Sequence, residues 1–207
     1  MTTTDRHLIE TRRASREVFK GRFLHAFQDT VVLPDGSESV REYVVHPGAV
    51  MIVPLLLDET GESRVVLERQ FRYPVGRVML EFPAGKLDAG EPPVICAQRE
   101  LQEETGYVAQ EWAYAGQTHP VIAYSTECIE IWFARGLTPG ERHLDAGEFL
   151  DVITATPAEL LQWCASGQVT DTKTLTGALW LQNVLSGAWR LDWRTPEQWR
   201  TALGQQP

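Results

Sequence analysis

Between Gly85 and Tyr107 the chain reads GKLDAGEPPVICAQRELQEETGY, and its Gly, Glu and Arg residues fall at the spacing G-x5-E-x7-R-E-U-x-E-E-x-G-U, where U is a bulky apolar or aromatic residue. That order of residue types reads as loop, helix, stop. Pro92 and Pro93 can open a helix because its first N–H groups have no acceptor within the helix, and Gly106 can close it in the left-handed conformation that Gly adopts freely. Inside the helix Val94, Ala97, Leu101 and Thr105 recur at intervals of three and four and should face a core. Glu100, Glu103 and Glu104 fall together on another side.

Three carboxylates on one patch repel. At about 6 Å and an effective dielectric near 20, each pair costs roughly 3 kcal/mol, so the cluster calls for a cation. Hard carboxylate oxygens suit Mg2+, with Mn2+ as a substitute, better than zinc. A row of Glu on a helix is ordinarily a solvated face. The fixed Gly85, Glu91, Arg99 and Gly106 around this row favour the metal reading. Arg99 is placed to order Glu91 or a neighbouring carboxylate through paired hydrogen bonds, a supporting role rather than a chemical one.

Composition limits the alternatives. With 207 residues the chain is long enough for one ordinary domain with an extension and too short for two large ones. Its net charge of −9, without a Lys/Arg-rich run, argues against nucleic acid as a partner and leaves a small nucleotide compatible. Cys96, Cys128 and Cys164 are widely spaced, so neither a disulfide framework nor a zinc site is indicated, and buried reduced thiols are expected. The polar start MTTTDRHLIETRRASREVF lacks a secretory apolar segment, and no run reaches the ~18 apolar residues of a membrane span. A cytoplasmic protein without membrane contact is the expectation.

Along the chain, Glu17 to Phe27 suits a strand, Pro34-Asp35-Gly36-Ser37 is a turn, and Val40 to Val45 alternates as a second strand. These elements read as a small antiparallel sheet that buries little by itself. Ala49 to Leu57 and Arg64 to Glu68 read as buried strands around a turn, with Trp112 to Tyr114 and Glu127 to Ala134 as later strands and Gly136 to Gly140 as a turn. Ala158 to Ala165 and Leu175 to Leu185 carry helical patterns whose apolar residues, Trp163, Leu179 and Trp180 among them, should be core. Their long, weakly charged connection argues against a DNA-reading helix pair. Trp189, Trp193 and Trp199 in the tail should cover the domain's own edge or a neighbouring subunit.

The Gly85–Tyr107 stretch resembles the Nudix box, and LERQFRYPVGRVMLEFPAGKLD (Leu67 to Asp88) resembles the Q-F-R-x-P and L-E-x-P-A-G segments of the ADP-ribose pyrophosphatase branch of that superfamily. LDAGEFLDVITATPAELLQWCASGQVTDTKTLTGALWLQ (Leu144 to Gln182) is similar to the branch's closing strand and last helix. The resemblance implies an α/β (α+β) Nudix fold, a mixed β-sheet sandwiched by helices with an N-terminal antiparallel β arm. It divides the chain into an arm over 1–46 that is a dimerisation element, a Nudix domain over 47–190, and a tail over 191–207. A homodimer is then the default.

Residue by residue, the resemblance implies metal ligation by Glu100, Glu104, Glu148 and the carbonyl of Ala84, with Glu103 joining the cluster. It implies substrate contacts from Arg41 and Arg72, with Glu81 lining the pocket and Glu127 in the substrate loop. The implied reaction is hydrolysis of the diphosphate of ADP-ribose, or a related nucleoside diphosphate sugar, to AMP and a sugar phosphate. The chain departs from the branch twice. Where some members carry an acidic base two positions before Glu148, it has Ala146, so Asp145, Glu103 or Glu148 would serve. The substrate loop reads HPVIAYSTE from His119 to Glu127, which leaves open ADP-glucose, GDP-mannose, a dinucleoside polyphosphate, or a non-catalytic ADP-ribose sensor.

Overall fold

The computed structural model describes residues 3–204, which divide into two units. The first runs up to Gly48 and includes Val121–Cys128. After a 3-10 turn at Thr3–Leu8, strands β1 (Thr11–Lys20), β2 (His25–Val32) and β3 (Glu38–Val45) form an antiparallel sheet in that order. The expected strand across Glu17 to Phe27 is really the end of β1 and the start of β2. Gly21 donates to Leu24 O at 2.8 Å and turns the chain between them. Every residue of β1 is exposed.

The second unit holds a seven-stranded mixed sheet of order β10-β5-β4-β9-β8, with β6 added on β5 and β7 on β4. Its strands are β4 (Ala49–Leu57), β5 (Ser63–Arg72), β6 (Arg77–Glu81), β7 (Ala84–Lys86), β8 (Tyr107–Thr118), β9 (Ile129–Pro139) and β10 (Leu150–Ala155). β4 reads as continuous apolar sequence because it is covered on both faces. Met51 and Val53 point into a core with Leu67, Phe82, Phe133, Leu160 and Leu181. Val50 and Ile52 point into another with Val94, Ala97, Leu101, Trp112 and Trp132. The first core is closed by α2 (Pro157–Ala165) and α3 (Thr172–Leu185), and the second by α1 (Pro93–Thr105). The sheet is therefore flanked by helices, as the fold class requires.

Local chemistry sets the helix ends. Thr156 caps α2 reciprocally with Glu159, and Asp171 caps α3 through Thr174 N at 3.0 Å. Pro92 precedes α1 and Gly106, at φ 74°, ends it. The tail forms α4 (Pro196–Gly204) and covers its own unit's edge: Arg194 pairs with Trp112, and Trp199 Nε1 donates to Trp112 O at 3.1 Å.

Three local expectations need correction. β9 runs to Pro139 through the segment read as a turn from Gly136. Gly136 has a left-handed φ of 67°, and a Cβ there would come 2.9 Å from Gln110 on β8, so it marks a close approach of strands rather than a turn. Leu179 is half exposed on α3, while Trp163 and Trp180 pack against the core. Of the three thiols Cys96 alone is buried; Cys128 and Cys164 are partly exposed, and none is in a disulfide. No helix among the described residues is long and apolar enough to cross a membrane.

Candidate active site

Helix α1 buries Val94, Ala97, Leu101 and Thr105, and that rotation carries Glu104 inward to 4 % exposure. Glu104 Oε2 accepts from Ala84 N at 3.1 Å. Glu100 lies against Gly85, where an added Cβ would stand 1.8 Å from the Glu100 carboxyl group. The glycine that opens the motif thus makes room for a carboxylate of the helix. Because the clashing atoms end a flexible side chain, Gly85→Ala should displace Glu100 more than it unfolds the protein. We expect Tm to shift little while cation affinity falls about 10-fold, measured by Mn2+ titration.

Arg99 gathers the outer carboxylates. Its Nε and Nη2 donate to the two oxygens of Glu91 at 3.0 and 2.9 Å, and its Nη1 donates to Glu100 and Glu103, each at 2.9 Å. Glu148 comes from the loop before β10 and accepts from Gln70 Nε2 of β5 at 3.2 Å. Glu100, Glu103, Glu104, Glu148 and the Ala84 backbone are thus elements of one unit, presented by α1, the β6–β7 segment and the Glu148 loop.

β5 adds to Arg72, already expected from the sequence, two residues that sequence reading missed, Glu68 and Gln70. Glu68, Gln70 and Arg72 alternate onto its covered side, and Glu68, 3 % exposed, faces Glu104. Burial, then the nearby charges of Glu68, Glu100 and Glu148, raises the pKa of Glu104; burial likewise raises that of Glu68. Burial pushes Glu100 up to about 7 despite Arg99. These are signs of a carboxylate cluster lacking enough positive charge.

Beside it Glu81, 4 % exposed, is ion-paired twice. Arg72 donates to its two oxygens at 2.7 and 2.9 Å, and Lys173, 8 % exposed, donates to Oε2 and, at 2.8 Å, to Asp171. Burial alone would raise the pKa values of Glu81 and Asp171. Arg72 and Lys173 overcome it for Glu81, and Lys173 with Thr174 for Asp171, so both fall below their ordinary 4.5 and 3.8. A depressed carboxylate stabilises the fold above its unfolded pKa and loses that contribution as pH falls through the folded value. The stability gap between wild type and Lys173→Met should therefore narrow from pH 5 to pH 3, as read by urea melts across that range.

Arg41 and Glu127 lie in the other unit. Arg41 pairs with both oxygens of Glu10, one at 2.9 Å, and reaches Ser39 Oγ and Val40 O at 3.0 Å. Glu127 lies 3.5 Å from His46 Nε2. In the segment leading to Glu127, Val44 N donates to Tyr124 O and Thr126 N to Val44 O, which extends the β3 side of that unit.

The donor set fits a hard divalent cation: buried carboxylates, a carboxylate oxygen on Glu68 without a hydrogen-bond partner, and a glycine that admits Glu100. Among the described residues no three His, Cys, Asp or Glu side chains meet as a ready-made cage. Mg2+ does not need one, because one or two carboxylates with water and substrate oxygens complete its shell.

A sandwiched mixed sheet presenting an acidic, glycine-ended helix defines the class, and comparison with known proteins gives the family. A model described as NUDIX domain matches residues 45–175, and one described as nucleoside diphosphate sugar hydrolase N-terminal domain matches residues 10–44. The chain belongs to the Nudix family. It is 38% identical over 172 residues to a methanol dehydrogenase activator of Bacillus methanolicus, covering 81% of this chain and 90% of that protein. It is 36% identical over 177 residues to an ADP-ribose pyrophosphatase of Bacillus subtilis (strain 168), covering 84% and 94%. A solved structure titled as an ADP compounds hydrolase superposes with a TM-score of 0.77 over 87% of this chain and 96% of that one, at 23% identity, which supports the fold.

Proposed function

We propose that this chain is a divalent-cation-dependent pyrophosphohydrolase that cleaves the diphosphate of ADP-ribose, or a closely related nucleoside diphosphate sugar, to AMP and a sugar phosphate. The observation that carries the reading is the buried Glu104 with Glu68, Glu100 and Glu148 around it, more negative charge than the neighbouring side chains neutralise. Relatives named ADP-ribose pyrophosphatase from Bacillus subtilis and Mycobacterium tuberculosis, the latter 32% identical over 179 residues, support the substrate class.

Glu100, Glu104, Glu148 and the Ala84 carbonyl hold the cation, Mg2+ first and Mn2+ as a substitute. Bound there, the ion would supply positive charge against the phosphoryl oxygens and Lewis acidity toward the attacking water. Arg99 fixes Glu91, Glu100 and Glu103 in place, so that the helix presents its carboxylates without spending conformational freedom on binding. Arg72, half exposed and anchored on Glu81, offers its outer edge to a substrate phosphate. With Ala146 two positions before Glu148, Asp145, Glu103 and Glu148 are the carboxylates left to accept the proton of water. Two copies of the chain covering the fully exposed β1 would account for Val18 and Phe19 on its surface, and we include a homodimer in the reading.

Purified protein with Mg2+ should release nucleoside monophosphate fastest from ADP-ribose within a panel that includes ADP-glucose, GDP-mannose and a dinucleoside polyphosphate. A clear preference for one of the others reassigns the substrate and leaves the chemistry. Binding of ADP-ribose without turnover of any compound would favour a sensor.

A further inference from the structure

Strand β5 brings to the site a carboxylate that the motif does not contain. Glu68 is the register partner of Glu81 on β6 and of Val152 on β10, on the covered side of the strand with Gln70 and Arg72. It is 3 % exposed, and its Oε1 has no hydrogen-bond partner. The carboxyl group faces Glu104, with Glu148 and Glu81 as the next negative neighbours. The nearby cation, Lys173, is already held by Glu81 and Asp171. The Glu68 and Glu104 side chains are hydrogen-bonded to one another, and two buried carboxyl groups in contact need positive charge between them, a shared proton without the ion or a divalent cation in its place.

From this geometry we infer that Glu68 is a further ligand for the site's divalent cation, presenting its free Oε1 from the sheet while Glu104 presents an oxygen from α1. The inference rests on the cation-dependent reading above and adds to it a ligand from outside the helix and its flanking loops. Glu68 joins Glu104, Glu100 and Glu148 around the ion, with Glu100 steadied by Arg99 and Glu148 by Gln70, and water and substrate oxygens complete the shell. Gln70 and Arg72, on the same side of β5, then hold Glu148 and Glu81 around the ion from the strand that carries the ligand.

The test is Mn2+ binding to the full-length protein without substrate, read by electron paramagnetic resonance of free and bound ion and by the Mn2+-induced rise in Tm. Wild type should bind Mn2+. Glu68→Gln keeps the shape and lets an amide donate to Glu104, so cation-free Tm should be no lower than wild type, while Mn2+ affinity should fall at least about 10-fold. A smaller loss overturns the assignment. Should that variant fail to fold, Glu68→Asp keeps the charge and withdraws the oxygen by one methylene. It too should lose affinity, and wild-type affinity in it overturns the assignment. Absence of Mn2+ binding by the wild type would overturn the cation reading itself, which separates that failure from one confined to Glu68.

Discussion

Glu104→Gln should reduce cation-dependent hydrolysis by at least about 100-fold, the upper range for losing even an indirect support of a metal site. The same change should leave the cation-free protein as stable as wild type or more so. Glu104 is buried beside Glu68, and burial together with neighbouring carboxylates disfavours its charge, so removing that charge relieves repulsion. The Gln amide replaces one carboxylate oxygen and can retain the contact with Ala84 N through the other. Activity and stability therefore move in opposite directions, which ordinary core damage would not do. Parallel steady-state assays and thermal melts in EDTA measure the two effects. Near-normal turnover would remove Glu104 from the ligand set, and a large drop in cation-free Tm would make it a structural residue.

Lys173→Met should cost about 3 kcal/mol of stability, at the lower end of the range for breaking a buried ion network by removing one partner. The lower end applies because Glu81 keeps Arg72, and Asp171 keeps its bonds to Thr174 at the start of α3. The loss should be partly recovered in Lys173→Met with Glu81→Gln, since the second change removes the carboxylate left with one partner fewer. Urea denaturation with an unchanged slope checks both variants. A single variant within about 0.5 kcal/mol of wild type, the scatter of ordinary surface changes, would show the pair to be unimportant to the fold.

What could be read from sequence was local. α1 begins and ends where its prolines and Gly106 place it, its core face is the one its 3.6-residue period gives, and β4 coincides with the apolar run. Arg99 meets Glu103 because the i,i+4 spacing of the helix fixes that reach, while Glu91 comes to it from the loop before the helix. Glu68 was hidden for the opposite reason. In LERQFR it looks like any charged residue at the end of an apolar strand, and only its pairing with β6 and β10 carries it in beside Glu104. Lys173 was equally unmarked, since a Lys beside an N-cap ordinarily lies in solvent and here two acids from different elements surround it. Gly136 misled because a strand glycine that admits a neighbouring side chain carries the same letter as a turn.

The most direct measurement is the release of AMP and ribose 5-phosphate from ADP-ribose by the purified wild-type chain, with Mg2+ and then with excess EDTA. The account predicts the two products in equal amounts with Mg2+ and none above background with EDTA. Intact ADP-ribose after incubation of folded protein with Mg2+, or equal rates with and without the chelator, would contradict it.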